Sequence, residues 1–267
     1  MATSRYLSVC KQASYAAGLV HKRYFRKDFA IRTKGVSYNL LTVADTKAEK
    51  EAVKVIKKNF PGHNILAEEN LYPNTDSPYT WIIDPLDGTN NFACGIPIFC
   101  ASVALKYKEE IILGAVYDVV HDELFWAEKA KGAYLNGRRI TVNNVRTLKK
   151  AMLITGFYYD RGKEMVETLE RIKKFFKRNI LGIRRLGAAA LDLCYVGCGR
   201  AAGFWEFELS SWDYAAGKLI VEEAGGKVTG RNGEPIKVID KAFIVASNKK
   251  IHRLMLEVIN EPVVCLK

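Results

Sequence analysis

The chain has no apolar run long enough to span a bilayer. Its amino terminus, Met1-Ala-Thr-Ser-Arg-Tyr, lacks the apolar core of a signal peptide. Both absences point to a soluble, cytoplasmic protein without a membrane partner. The six cysteines (Cys10, Cys94, Cys100, Cys194, Cys198 and Cys265) contain no C-x-x-C pair. Cys194 and Cys198 stand four apart, and a zinc site there would need two more soft ligands. All six read as reduced residues, mostly buried. The four histidines, His21, His63, His121 and His252, show no ligand spacing either. No serine or cysteine nucleophile motif is present. Repeats, low-complexity segments and Pro/Ser-rich linkers are also missing, which argues against a string of modules.

What is present suits a globular chain. Its 267 residues, 49% of them hydrophobic, can bury a large core, as one domain or as two packed halves. Lys plus Arg number 41 against 29 Asp plus Glu, a net charge of +12. That excess attracts anions: phosphate esters, nucleic acid or membrane surfaces. The most basic stretch, 171–185, carries Arg171, Lys173, Lys174, Lys177, Arg178, Arg184 and Arg185 and no acid. It reads as a solvated helix face. As a nucleic-acid patch it is short of aromatic interleaving, because Phe175 and Phe176 serve equally well as core. A nucleic-acid partner is disfavoured, though the charge does not exclude it.

Hydrophobic spacing predicts helices over 4–26, 46–60, 163–177, 188–196, 212–224 and 249–259. Strands are expected at 63–67, 81–83, 98–105, 111–119, 123–128, 152–156, 180–186, 203–207 and 243–247. The stretch 31–42 reads as an extended hairpin, and Asn136-Gly137 as a tight hairpin turn. The alternation of helices with β-branched strands argues for layered sheets and helices, an α/β (α+β) chain. It is expected to form a single unit over 1–267, of two packed halves that meet near 145–150.

The segment Trp81-Ile-Ile-Asp-Pro-Leu-Asp-Gly-Thr-Asn-Asn-Phe92 carries the most information. Trp81 to Ile83 reads as a buried strand that stops at Asp84-Pro85. Pro85 fixes its own φ and biases Asp84 to an extended backbone. Asp87 and Gly88 then turn the chain. Two carboxylates three residues apart are thereby held on a stiffened loop, and such groups repel unless a cation lies between them. Taken by dipeptides alone, the same residues read as a surface turn.

The whole segment resembles the signature of the inositol monophosphatase family of magnesium-dependent sugar phosphatases, W-x-x-D-P-[I/L]-D-G-T-x-N-F, with every fixed position present. The resemblance runs from about residue 34 to residue 226. Ala67-Glu68-Glu69-Asn70 matches the family's G-E-E-x box, with Ala67 in place of Gly. Trp212-Asp213-Tyr-Ala-Ala-Gly217 matches its W-D-x-A-A-G box. Asp213 taken alone reads as a helix N-cap. Lys34 and Asp45 fall where the family has a site lysine and an aspartate that backs the site. Gly187-Ala-Ala-Ala190 matches a G-[S/T/A]-A-A turn. Glu206 aligns with an acid that binds inositol hydroxyls, although it reads equally well as an edge-strand surface acid.

The resemblance implies a five-layered αβαβα sandwich, a homodimer, and hydrolysis of a phosphorylated polyol or sugar. The favoured substrate is myo-inositol 1-phosphate; fructose 1,6-bisphosphate, alone or in a bifunctional enzyme, is the alternative. It implies two to three Mg²⁺ per subunit, with Mn²⁺ able to substitute. One would sit between Glu68, Asp84 and the Leu86 carbonyl, a second between Asp84, Asp87 and Asp213, and a looser third near Glu68. All these donors are hard oxygens, which suits such ions better than zinc. Glu68, Thr89, Asp45 and Lys34 would serve the chemistry. Asp87, Gly88, Thr89, Gly187, Ala189, Glu206 and Asp213 would face the substrate. Arg184, with Arg185 beside it, would meet a second phosphate.

Overall fold

Local capping starts the first helices. The computed structural model describes residues 4–27, 31–33, 40–157, 161–238 and 241–262, so Lys34 and Cys265 lie outside the described residues. Helix α1 (Arg5–Tyr24) begins where Ser4 Oγ accepts from the Leu7 N–H at 3.2 Å. It buries Leu7, Cys10, Ala13 and Ala17 along one face. Strands β1 (Ile31–Thr33) and β2 (Leu40–Thr42) pair antiparallel. Helix α2 (Val43–Asn59) starts earlier than the expected 46, because Thr42 and Asp45 form a reciprocal capping box.

The first half builds a seven-stranded sheet from β3 (Asn64–Ala67), β4 (Tyr79–Asp87), β5 (Cys100–Tyr107), β6 (Glu110–Asp118), β7 (Glu123–Glu128), β8 (Gly132–Leu135) and β9 (Arg138–Ile140) in chain order. Only β3 and β4 run parallel. Helix α3 (Thr89–Ala93) follows β4 directly. Strand β4 does not stop at Asp84-Pro85, as its sequence suggests. It continues to Asp87, and its register against β5 slips between Asp84 and Asp87. Pro85, with no N–H to donate, sits in that slip, the one place a covered strand tolerates it. Asn136 (φ 48) and Gly137 (φ 79) close the β8–β9 hairpin with both residues left-handed, as a two-residue turn of this kind requires.

The second half supplies β10 (Met152–Thr155), α4 (Lys163–Lys177), β11 (Gly182–Arg184), α5 (Ala189–Gly197), β12 (Gly203–Leu209), α6 (Ser211–Glu223), β13 (Lys227–Thr229), β14 (Ala242–Ser247) and α7 (His252–Ile259). Its sheet has the order β11-β10-β12-β14-β13. Strand β10 lies parallel to β11 and β12, whereas β14 is antiparallel to β12 and β13. Short β13 has no clear sequence signal. Helix α7 starts later than expected, because Asn248 Oδ1 holds the Lys250 and Ile251 N–H groups in a turn first.

The layers follow from strands with two covered faces. On β4, Trp81 and Ile83 face α1 and α2, while Ile82 faces α5 and α6. On β12, Phe204 joins the central core with α5 and α6, and Trp205 joins the outer core with Phe175 of α4 and Met255 of α7. Period-two side chains that are buried on both sides give the continuous apolar runs seen in the sequence. The order is α1/α2, seven-stranded sheet, α5/α6, five-stranded sheet, α4/α7, a five-layered αβαβα sandwich. No helix among the described residues is long and apolar enough to cross a membrane.

The basic stretch is not uniformly a solvated face. Arg171 is fully buried, donates through Nε to the Ile259 carbonyl at 3.1 Å, and pairs with Glu167 at 2.8 Å. Its charge is therefore withdrawn from the surface. Phe175 is core, and Phe176 is exposed.

Helix α6 carries Asp213 and packs its backbone on the first sheet. A Cβ on Gly114 of β6 would stand 2.8 Å from the Cα and carbonyl oxygen of Ala216. Gly114→Ala should therefore cost about 1–3 kcal/mol, as overpacking against backbone does. Urea unfolding checks this, and an unshifted midpoint would contradict the close approach.

Candidate active site

Four carboxylates meet where β3, β4 and α6 converge. The Glu68 N–H continues the β3–β4 ladder by donating to the Ile83 carbonyl at 3.2 Å, which sets Glu68 beside Asp84. Asp84 Oδ1 accepts from the Leu86 N–H at 3.0 Å, a turn that fixes the carboxylate at the bulge. Asp87 accepts from two N–H groups in the first turn of α5, Ala189 at 3.1 Å and Ala190 at 2.7 Å. Asp213 is not the helix N-cap that its sequence suggests. Ser210 is the cap, and Asp213 lies three residues on, accepting from the Ser210 N–H at 2.7 Å in a capping box.

These groups share one cavity of about 370 Å³. Glu68, Asp84, Leu86, Asp87 and Asp213 line one part of it, with Gly88, Thr89 and Asn90 at the start of α3. Gly88 has φ 93, and a Cβ there would stand 2.9 Å from the Ile98 carbonyl oxygen, so only glycine suits the position. Gly187, Ala189, Arg185, Glu206, Gly156 and Lys241 also line the cavity. Arg184 does not line it. That residue is exposed, and its Nη1 donates to the Ile183 carbonyl at 3.0 Å. Arg185, the next residue, takes the cavity position instead.

Asp45 lies behind the cavity. Thr89 Oγ1 donates to Asp45 Oδ1 at 2.8 Å and also lies 2.9 Å from the Leu86 carbonyl oxygen. The other Asp45 oxygen accepts from the Thr42 N–H at 2.7 Å and its hydroxyl at 2.6 Å. Thus Asp45 caps α2 and orients Thr89 with one carboxylate.

Burial dominates the electrostatics. It pushes Asp84 well above the usual carboxylate range, and Glu68, Asp87 and Asp213 push it further. Asp213 is raised well above that range in the same way, by burial and then by Glu68 and Asp87. Burial takes Asp87 up to about 6, against the Ala190 and Ala189 N–H bonds that favour its charge. Such crowded, all-oxygen donors fit a hard divalent cation, whose charge would offset their repulsion. Among the described residues, no three acidic, cysteine or histidine side chains stand at the spacing of metal ligands.

An inositol monophosphatase family model matches residues 3–263. The chain belongs to the inositol monophosphatase family. It is a phosphatase of that family. The fructose-1,6-bisphosphatase/inositol-1-monophosphatase of Aquifex aeolicus is 41% identical over 256 residues, 95% of each chain. The crystal structure of the extragenic suppressor protein suhB from Bartonella henselae superposes with a TM-score of 0.92 at 37% identity, covering 97% of this chain and 100% of that one. A crystal structure of an IMPase/NADP phosphatase complexed with Mg²⁺ and phosphate gives 0.82 at 25% identity, covering 96% and 94%.

Several supporting residues escape the sequence reading of this family member. Glu49 of α2 is fully buried and accepts from the Glu69 N–H at 2.9 Å, Asn70 Nδ2 at 2.7 Å and the Tyr72 hydroxyl at 2.9 Å. It thereby anchors the chain just past Glu68. Its position one helical turn after Asp45, on the face of buried Ala48, Ala52 and Ile56, is a signal that sequence offers. His21 Nε2 lies 2.7 Å from the Pro85 carbonyl oxygen, and burial lowers its pKa to about 4. The neutral ring therefore donates to the Pro85 carbonyl through Nε2. Asn91 Nδ2 donates to the Ile98 and Leu186 carbonyls at 2.8 and 2.7 Å, joining the signature helix to the G-A-A-A turn.

The raised carboxylates set a pH dependence. Burial takes Glu206 up to about 8, as it takes Asp87 to about 6. Folded protein then holds protons that the unfolded chain has released, so stability falls as pH rises through these values. In excess chelator, Tm should drop by on the order of 5 °C from pH 5 to pH 8. Mg²⁺ should raise Tm most at pH 8. Calorimetry at the two pH values checks this, and a Tm that rises with pH in chelator would contradict the burial argument.

Proposed function

We propose that this chain hydrolyses small phosphorylated polyols with Mg²⁺, and that myo-inositol 1-phosphate is its principal substrate. The observation that carries the reading is the convergence of Glu68, Asp84, Asp87 and Asp213 on one cavity with the Asp45–Thr89 pair behind it. Glu68, Asp84, the Leu86 carbonyl, Asp87 and Asp213 would hold two to three ions, which Mn²⁺ could replace. Bound there, Mg²⁺ supplies neutralisation of the phosphate charge and acidification of a water.

The protein's own groups do the rest. Thr89 gives its proton to Asp45, which leaves the hydroxyl oxygen free to accept one from a water on the cavity side. Burial raises the Asp45 pKa, chiefly against the bonds from Thr42 and Thr89, so the aspartate is a better base than an exposed one. Glu68 is a second acceptor at the same end. The backbone at Gly88, Thr89 and Asn90 would hold phosphate oxygens. Glu206, which also lines the cavity, offers no cation to a phosphate and offers oxygen acceptors to sugar hydroxyls.

One observation favours fructose 1,6-bisphosphate as a second substrate. Arg185 and Lys241 line the same cavity and would accept a second phosphate. The relative from Aquifex aeolicus carries both activities in its name. The protein is further proposed to work in the cytoplasm as a homodimer. A second copy would cover exposed Val166, Leu169, Phe176 and Leu181.

A phosphate-release panel with inositol 1-phosphate, fructose 1,6-bisphosphate and an aryl phosphate tests the reading. Activity should vanish in excess chelator and return with Mg²⁺. Asp84→Asn removes a carboxylate that would help hold the ions, and kcat should fall by roughly a thousandfold or more. Near-normal turnover of that variant at saturating Mg²⁺ would defeat the ligand assignment.

Glu206→Gln should lower kcat/KM for inositol 1-phosphate roughly tenfold to a hundredfold relative to p-nitrophenyl phosphate, which lacks the sugar hydroxyls. Equal losses on both substrates would place Glu206 in the metal site or the fold instead.

A further inference from the structure

Gly156 directly follows β10 and lies on the cavity wall. Strand β10 runs parallel to β12 with Thr155 opposite Trp205, so Gly156 comes alongside Glu206. Thr155 Oγ1 fastens this end of the pair by donating to the Trp205 carbonyl at 2.8 Å. A Cβ built on Gly156 would overlap the Glu206 carboxyl carbon and both of its oxygens. The carboxylate fills the place where any other residue would carry its side chain. The φ of Gly156 is not in the left-handed region. Its backbone therefore accepts alanine, and the constraint is space alone.

Glu206 is 9% exposed, so protein surrounds most of its side chain. Asp192 of α5, also buried, has both carboxylate oxygens without a hydrogen-bond partner, and burial and then Glu206 raise its pKa. The open side is the cavity, where Arg185 attracts Glu206.

We propose that Gly156 is a specificity-determining residue: its missing side chain is the notch that seats the Glu206 carboxylate and leaves room for a polyol. A side chain at 156 pushes that carboxylate into the space the substrate ring would occupy and turns its oxygens away from the ring hydroxyls. The inference rests on Glu206 as the hydroxyl-binding group.

The test compares Gly156→Ala, Glu206→Ala and the double variant in the full chain with Mg²⁺. Alanine is used at 206 because glutamine would still fill the notch. The readout is the ratio of kcat/KM for inositol 1-phosphate to that for p-nitrophenyl phosphate. Gly156→Ala should lower this ratio about tenfold, mostly through KM. In the Glu206→Ala background the same substitution should change the ratio less than about twofold, because there is no carboxylate left to displace. A ratio that Glu206→Ala lowers and Gly156→Ala does not would overturn this inference alone. So would an equal effect of Gly156→Ala in both backgrounds, or a fall in stability without a change in ratio. A ratio unmoved by Glu206→Ala would overturn the hydroxyl reading and this inference with it.

Discussion

Like charges held together out of water are the constraint around which this structure is arranged. Asp84 and Asp87 are buried, Asp213 is half-buried, and Glu68 on the same cavity raises the cost of ionising all three. Nothing in a hydrophobic core opposes that repulsion. Backbone N–H groups do, and each aspartate has its own: Leu86 for Asp84, Ala189 and Ala190 for Asp87, Ser210 for Asp213. Three of these four donors belong to helix starts, where unsatisfied N–H groups favour a carboxylate. The site is thus held by groups that would otherwise need a capping residue. The fold and the chemistry draw on the same hydrogen bonds.

That economy explains why the layers meet where they do. Asp87 ends a strand of the seven-stranded sheet and caps α5, a helix of the middle layer. Asp213 opens α6, the other middle helix, whose backbone lies against Gly114 of that sheet. Gly217 of α6 lets the two middle helices approach, since a Cβ there would stand 2.6 Å from Leu193 Cβ. Lengthening any of these contacts by even a side chain would pull a carboxylate away from the cavity. Close packing in the middle layer is therefore a condition of the site as much as of stability.

Sequence speaks clearly where the relevant physics is local. The signature segment, the capped helix starts and the Asn136-Gly137 turn are all decided within a few residues. Legibility fails where a partner is distant or a register decides. Arg184 and Arg185 look alike in sequence, but neighbours in an extended segment point to opposite sides, so only one of them reaches the cavity. Asp213 reads as a cap until Ser210 is seen to take that place. Pro85 reads as a strand end because the slip that accommodates it depends on β5. Arg171 reads as surface because its partner, the Ile259 carbonyl, lies 88 residues away.

The two ends of the cavity differ in this respect. The carboxylate end is built almost wholly from contiguous motifs. The other end is built from residues that lie far apart in sequence: Gly156 beside Glu206, Arg185 from the segment after β11, and Lys241 from the approach to β14. None of these is tied to the others by spacing along the chain. Substitutions there can re-shape what the cavity admits without disturbing a single proposed metal ligand. An end assembled this way leaves room for substitution at Gly156, Arg185 and Lys241, because none of the three supplies an oxygen to the carboxylate cluster.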